Sequence, residues 1–246
     1  MVVSVFENVA ARPGASGPAR RLLGVDIGGT AIKWSIVCDG VAETGGSVPT
    51  PRIDEHAVLR AVAGLTDKVR DQVEGIGIAV PGTVDPVRRS SVFVPNLPGD
   101  WTHLAVADEM EALSGLPVAL LNDARAFAWA EHGSGAAKGV ANAAFFTLGT
   151  GVGGAIAFNG QILVGALDSI GEMGHVPVNP HHGELCICGG RGCLETIASA
   201  SAVVGRLART YAMSQSAVLR RLTEDGTVPL TAKLVTEYAW AIKSGP

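Results

Sequence analysis

The sequence predicts an α/β protein built from two related halves, and three observations carry that prediction. Apolar residues recur at strand period and then at helical period, in alternation, along most of the 246 residues. Two segments share one plan, an apolar strand, a glycine-rich turn and a second strand. The first turn is Asp26-Ile27-Gly28-Gly29-Thr30 and the second, about 120 residues later, is Gly149-Thr150-Gly151-Val152-Gly153-Gly154. Finally, 47% of residues are apolar, 17% are charged and 32 are glycine, a balance that supports a large core joined by tight turns.

Taken in order, residues 1–20 begin with a short apolar run broken by Glu7 and Asn8 and drift into Pro, Gly, Ser and Ala, so a disordered leader is expected there. Leu22 to Val25 enters the first glycine turn and Ile32 to Val37 leaves it, which predicts a β-hairpin; Val41 to Val48 adds a third strand. His56 to Val69 places Val58, Leu59, Val62 and Leu65 at helical spacing behind Asp54, a suitable N-cap. Ile76, Ile78 and Val80 alternate as a strand that ends in the turn chemistry of Pro81-Gly82-Thr83-Val84-Asp85, followed by Phe93-Val94-Pro95-Asn96-Leu97 and Trp101. A helix over Leu104 to Leu113 leads to a strand over Val118 to Leu121. Asn122-Asp123 then stands at a strand-to-helix junction, where α/β proteins place ligands; on the residues alone the pair also reads as an N-cap. Ala143 to Leu148 and Ala155 to Phe158 flank the second glycine turn. Beyond it, Ser199, Ser214 and Thr231 are positioned to cap helices over Ala200 to Tyr211, Gln215 to Leu222 and Ala232 to Ile242.

Charge and hydropathy exclude some functions. The net charge of −4 gives no basic surface for nucleic acid, and no run reaches the roughly 18 to 20 apolar residues that a membrane helix needs. A cytoplasmic setting is the expectation, and it suits reduced cysteines.

Three of the four cysteines, Cys186, Cys188 and Cys193, lie in GEMGHVPVNPHHGELCICGGRGCLE, residues 171–195, behind His175. One imidazole and three thiolates make the four-ligand set of a closed structural Zn²⁺ site. A disulfide is disfavoured because a C-x-C pair lacks the separation that the bridge needs, and buried thiols would sit in apolar periodic runs rather than among Gly189, Gly190 and Gly192. His181 or His182 could stand in for His175. Glu172 and Glu195 flank the loop, which would deliver both carboxylates to fixed positions. The second glycine turn matches neither a P-loop nor a dinucleotide fingerprint. Each of the two turns could present backbone N–H groups to phosphate, with Asp26 holding a hydrated cation and Lys33 adding charge.

GE-x-GH followed by C-x-C-G-G-x-G-C-x-E resembles the signature of the ROK family, sugar kinases and sugar-responsive repressors within the actin-like ATPase superfamily; the resemblance runs from about Leu22 to about Thr210. It implies a two-lobed actin-like (ribonuclease H-like) α/β fold with a central cleft, an N-terminal lobe over 21–122 and a C-terminal lobe over 123–246 that lacks the family's closing adenosine segment. It implies an ATP-dependent sugar kinase, most plainly a glucokinase, with N-acetylmannosamine, fructose, allose or a cyclitol as other acceptors. Asp123 would be the catalytic base. Gly82, Asn96, Asn122, Asp123, Glu172, His175 and Glu195 would contact sugar. Asp26, Gly28, Gly29, Thr30 and Lys33, with Gly149, Thr150, Gly151 and Gly153, would hold ATP phosphates and Mg²⁺. His175, Cys186, Cys188 and Cys193 would bind Zn²⁺. The family also suggests a homodimer. The repressor alternative expects a helix-turn-helix domain, for which the roughly 20 residues before Leu22 are too few; a catalytically silent sugar-binding product is the remaining alternative.

Overall fold

A computed structural model describes residues 20–165, 168–214, 223, 229–234 and 236. The expected leader over 1–20, the helix over Gln215 to Leu222 and most of the helix over Ala232 to Ile242 lie outside the described residues, apart from Arg20 and the start of the last helix, where Thr231 Oγ1 accepts from the Leu234 N–H at 3.2 Å. The chain divides into two compact units, the first comprising 1–143 with 156–170 and the second 144–155 with 171–246.

The first unit is organised by a five-stranded mixed sheet of order β3-β2-β1-β4-β7, in which β1 (Arg21–Ile27), β2 (Ala31–Cys38) and β3 (Val41–Pro49) form an antiparallel meander. β4 (Ile76–Val80) pairs parallel with β1, and β7 (Val118–Asn122) parallel with β4. Parallel neighbours need crossovers, and α1 (Glu55–Asp67) and α2 (Val106–Ser114) supply them. Asp54 caps α1, its carboxylate accepting from the Ala57 N–H at 2.6 Å, and Val58, Leu59, Val62 and Leu65 are buried as the spacing predicts. They share one core with the alternate residues Leu23, Val25, Ile27, Ile76, Ile78 and Val80 of the strands. Each such side chain, fully buried, contributes about 1.5–3 kcal/mol. α2 stops where Gly115 turns left-handed (φ +69°) and its N–H reaches Glu111 O.

Pro81 to Asp85 is not only a turn. Gly82 makes the bend at φ +85°, after which Thr83–Asp85 forms β5 and pairs antiparallel with β6 (Ser90–Phe93). α3 (Asp123–Gly133) follows β7 without a gap and belongs to the first unit in this division of the chain. β8 (Ala143–Leu148) and β9 (Val152–Phe158) flank the second glycine turn, and the short β10 (Gln161–Ile162) pairs with the end of β9. In the second unit α4 (Glu195–Ala198) and α5 (Ala200–Ser214) come after the metal loop; Ser199 Oγ accepts from the Ala202 N–H at 3.1 Å, the cap expected from sequence.

Candidate functional site

In the first unit, the carboxyl ends of β1, β4 and β7 are neighbours on one edge of the sheet. Asp26 is in register with Ala79, and Val80 with Asn122. The turn after β1, the Gly82 bend after β4 and Asn122-Asp123 after β7 therefore line the edge where open α/β sheets bind ligands. The Asp26 turn is held firmly: the Gly28 N–H donates to Ala31 O at 3.1 Å, Thr50 Oγ1 donates to Gly28 O at 2.6 Å, and the Thr50 N–H donates to Thr30 O at 3.0 Å. Thr50, 4% exposed, was missed from sequence; its only signal was a lone threonine between two prolines. Gly29 leaves room for a close neighbour, since a Cβ there would come 2.8 Å from Asn96 O. The structure thus brings Asn96, itself left-handed at φ +66°, against the first glycine turn. Lys33 Nζ stands 3.5 Å from Asp26 Oδ2 across the hairpin, and both side chains are largely exposed, so their attraction is worth little. A groove of about 400 Å³ opens beside them over Gly24, Gly77 and Ala79.

Asn122 is buried, and its amide serves two ends. Its Oδ1 caps α3 by accepting from the Arg125 N–H at 3.1 Å, while Nδ2 donates to Gly82 O at 2.7 Å and to Asp123 Oδ1 at 3.1 Å. Asp123 Oδ1 also accepts from the Ala124 N–H at 2.8 Å, and the carboxylate is exposed. The result is an oriented, accessible carboxylate at the carboxyl edge of the sheet, a geometry suited to removing a proton. Two residues along α3, Arg125 is fully buried and forms an ion pair with Asp168, 2.8 Å from Nε to Oδ1. Its guanidinium also donates to the carbonyls of Asp168 and Ile170. Sequence reasoning missed this pair, whose members lie 43 positions apart.

In the second unit His175, Cys186, Cys188 and Cys193 converge, their ligand atoms all within 4.8 Å of one another. Cys188 Sγ and Cys193 Sγ are 3.7 Å apart and Cys186 Sγ is 3.5 Å from His175 Nδ1. A tetrahedral Zn²⁺ with ordinary bond lengths requires edges of about 3.8 Å between thiolates and about 3.6 Å between thiolate and imidazole, so the donor set fits that ion. His175, not His181 or His182, completes the set; those two are exposed and face each other edge-on, ring centroids 6.4 Å apart. The loop is a knuckle, with the Cys186 N–H donating to Gly190 O at 2.8 Å and Gly189 turning at φ +86°. Burial, then the neighbouring Cys188 and Cys186, push the Cys193 thiol up to about 12, whereas the Gly190 N–H pulls Cys188 down. Such crowded sulfurs ionise together only against a cation.

The second glycine turn lies against this loop. The Val152 N–H donates to Glu195 Oε2 at 2.8 Å, the Ala200 N–H to Gly149 O at 2.8 Å, and Ser201 Oγ to Thr150 O at 2.9 Å. Within the turn the Gly149 N–H donates to Gly151 O at 3.0 Å, so two of the turn's amides are already engaged. Gly153 follows within β9, and Glu172 opens the short 3-10 turn Met173–His175.

The profile of the ROK family matches residues 22–243. The chain is 37% identical over 211 residues to the glucokinase of Thermotoga maritima, an alignment covering 83% of this chain and 65% of that enzyme. It is 37% identical over 182 residues to the N-acetylmannosamine kinase of Yersinia pestis, covering 74% of this chain and 62% of the relative. It therefore spans less than two thirds of either curated relative. Among solved structures, the ROK family glucokinase of Streptomyces griseus in complex with glucose and AMPPNP superposes with a TM-score of 0.77 at 34% identity, over 92% of this chain and 72% of the other. The glycine turns, the Asn122-Asp123 junction and the cysteine knuckle fall within the matched span, and the chain belongs to the ROK family, with its actin-like α/β fold.

Proposed function

We propose that the chain carries the phosphoryl-transfer machinery of an ATP-dependent hexose kinase acting on glucose. The observation that carries this reading is the shared edge of β1, β4 and β7, which sets a tied-down glycine turn, the Asn96 loop and an oriented aspartate side by side. Asp123 takes the proton from a sugar hydroxyl as that oxygen bonds to the γ-phosphorus and the bond to the ADP oxygen breaks. General-base help of this kind is worth about 10²–10⁴ in rate. Asn122 keeps the carboxylate aimed. Asp26, Gly28, Gly29, Thr30 and Lys33, and Gly149, Thr150, Gly151 and Gly153, are the residues assigned to the ATP phosphates and Mg²⁺. Gly82, Asn96, Glu172, His175 and Glu195 fix the remaining sugar hydroxyls. Cys186, Cys188, Cys193 and His175 would hold a Zn²⁺ in a structural role, since four protein ligands would leave no open position for substrate.

Glucose as acceptor is supported by the glucokinase relatives and by the glucose held in the Streptomyces griseus structure. The Yersinia enzyme supports N-acetylmannosamine as the second acceptor. The working assembly is a homodimer in a reducing, cytoplasmic setting; no described helix is long and apolar enough to cross a membrane. The test is ADP production with a hexose panel on zinc-loaded, folded protein. Turnover with glucose supports the reading, and Asp123→Asn is expected to remove at least 10²-fold of it with zinc content unchanged. Retained turnover in that variant removes Asp123 from its role, and no sugar-dependent ADP from the unsubstituted chain overturns the kinase reading.

A further inference from the structure

The peptide of Val152, at the exit of the second glycine turn, is gripped from both ends of the metal loop. Its N–H is taken by Glu195, two residues after Cys193. Its carbonyl lies against Gly174, one residue before His175, so closely that a Cβ on Gly174 would come 2.0 Å from Val152 O. Gly151 is pressed in the same way, since a Cβ there would meet Glu195 Oε2 at 2.5 Å. The residues on either side of Glu195 are tied to the loop: Thr196 Oγ1 donates to Cys193 O at 2.7 Å and the Leu194 N–H donates to Val176 O at 2.9 Å. Carboxylate, knuckle and turn thus form one contiguous chain of contacts inside the second unit. The two grips come from opposite ends of the loop, and those ends meet where His175 and Cys193 would share a metal.

We propose that metal loading of the cysteine knuckle orders the second glycine turn, with Glu195 as the positioning residue that transmits it through the Val152 N–H. With the four ligands joined, Gly174 and Glu195 are held on either side of Val152 and the turn keeps one shape. With the ligands apart, only backbone bonds such as Leu194 N–H to Val176 O keep the two grips near each other, and both loosen on the turn. Glu195 then holds the turn with one carboxylate oxygen in addition to any sugar contact. The coupling needs no nucleotide; its meaning, that a structural metal prepares a phosphate-binding turn, rests on the kinase reading.

The test is hydrogen exchange of the Val152 amide, with zinc per chain measured on the same samples. Loss of a hydrogen bond to a carboxylate is expected to speed this exchange about tenfold or more. Chelator-stripped wild type and zinc-loaded Glu195→Ala should both show it, the latter with zinc still at one per chain. Glu195→Gln, whose amide oxygen can accept the same N–H, should restore much of the protection. Unchanged Val152 exchange in zinc-loaded Glu195→Ala overturns the proposal, as does exchange in wild type that ignores chelation. ADP affinity separates the two readings: weakening on chelation and in Glu195→Ala supports both. No ADP binding at all, with zinc-dependent exchange intact, overturns the nucleotide role and leaves the coupling standing.

Discussion

Arg125 and Asp168 offer the sharpest energetic test of the first unit. Both side chains are buried, at 0% and 1% exposure, and the ion pair is 2.8 Å long. Removing one member strands the other charge away from water, a loss of about 3–5 kcal/mol. Arg125→Met also takes a donor from the carbonyls of Asp168 and Ile170, the latter at 3.1 Å, so the upper end of that range is expected. Asp168 sits at φ +50°, a conformation asparagine tolerates, so Asp168→Asn isolates the charge without adding backbone strain; about 3 kcal/mol is expected. The double variant strands no charge and should cost at least 1 kcal/mol less than the sum of the two singles. Urea unfolding of zinc-saturated protein, followed by far-UV circular dichroism, reads all three. A typical domain has only about 5–15 kcal/mol in total, so either single change should move the midpoint visibly. An Arg125→Met loss below about 1 kcal/mol, or a strictly additive double variant, refutes the reasoning: the first means the pair is hydrated, the second that its members do not interact.

Gly82→Ala should destabilise by more than about 1–2 kcal/mol and lower turnover, because alanine resists φ +85°, its Cβ would meet Phe93 O at 2.1 Å, and the carbonyl that anchors Asn122 would move; thermal melting with the ADP assay checks both. Chelation should lower the melting temperature and abolish turnover. Zinc should also leave more readily as pH falls, because Cys193, pushed up to about 12 by burial, must give up its proton to bind; a zinc-responsive dye at several pH values reads this. Glu111 is held below its usual 4.5, first by the Arg89 guanidinium and then by the Val118 N–H, against an opposing effect of burial. A depressed carboxylate stabilises the fold above its unfolded value, and that contribution disappears as pH falls through the folded one. Glu111→Gln should therefore flatten the dependence of melting temperature on pH below about 4.5, by a small amount, since the Arg89–Glu111 pair is partly solvated.

What was legible in the sequence is what is local along it. The knuckle could be read because four ligands and their glycines fall within one short loop, and α1 because its cap and apolar face obey a single period. β5 was hidden because Pro81-Gly82 is strong turn chemistry, and nothing in Thr83-Val84-Asp85 announces a partner at Ser90–Phe93. The Arg125–Asp168 pair was invisible for a different reason. Pattern reading assigns charged residues to the surface, and a buried pair reveals itself only when the fold joins positions that are distant in sequence. For Glu195 the sequence offers a carboxylate fixed beside the knuckle, and the family resemblance implies a sugar contact. Its hydrogen bond to the Val152 N–H depends on which edge of β9 meets the loop, and the glycine turn alone does not say.

Asn122 shows how a structural and a functional reading of one residue can both hold. As an N-cap it needs only its oxygen, which accepts from the Arg125 N–H. The amide nitrogen on the other side of the same planar group must then point away from the helix, towards the sheet edge, where it meets Gly82 O and Asp123 Oδ1. Capping fixes the flip of the amide, and the flip turns a donor towards the carboxylate. Aspartate in place of Asn122 would cap equally well but present a second negative oxygen to Asp123 and to the Gly82 carbonyl. Asn122→Asp should therefore leave the helical content of the protein nearly unchanged while cutting turnover by at least tenfold. If helicity holds and turnover is unchanged, the amide nitrogen has no role in orienting Asp123.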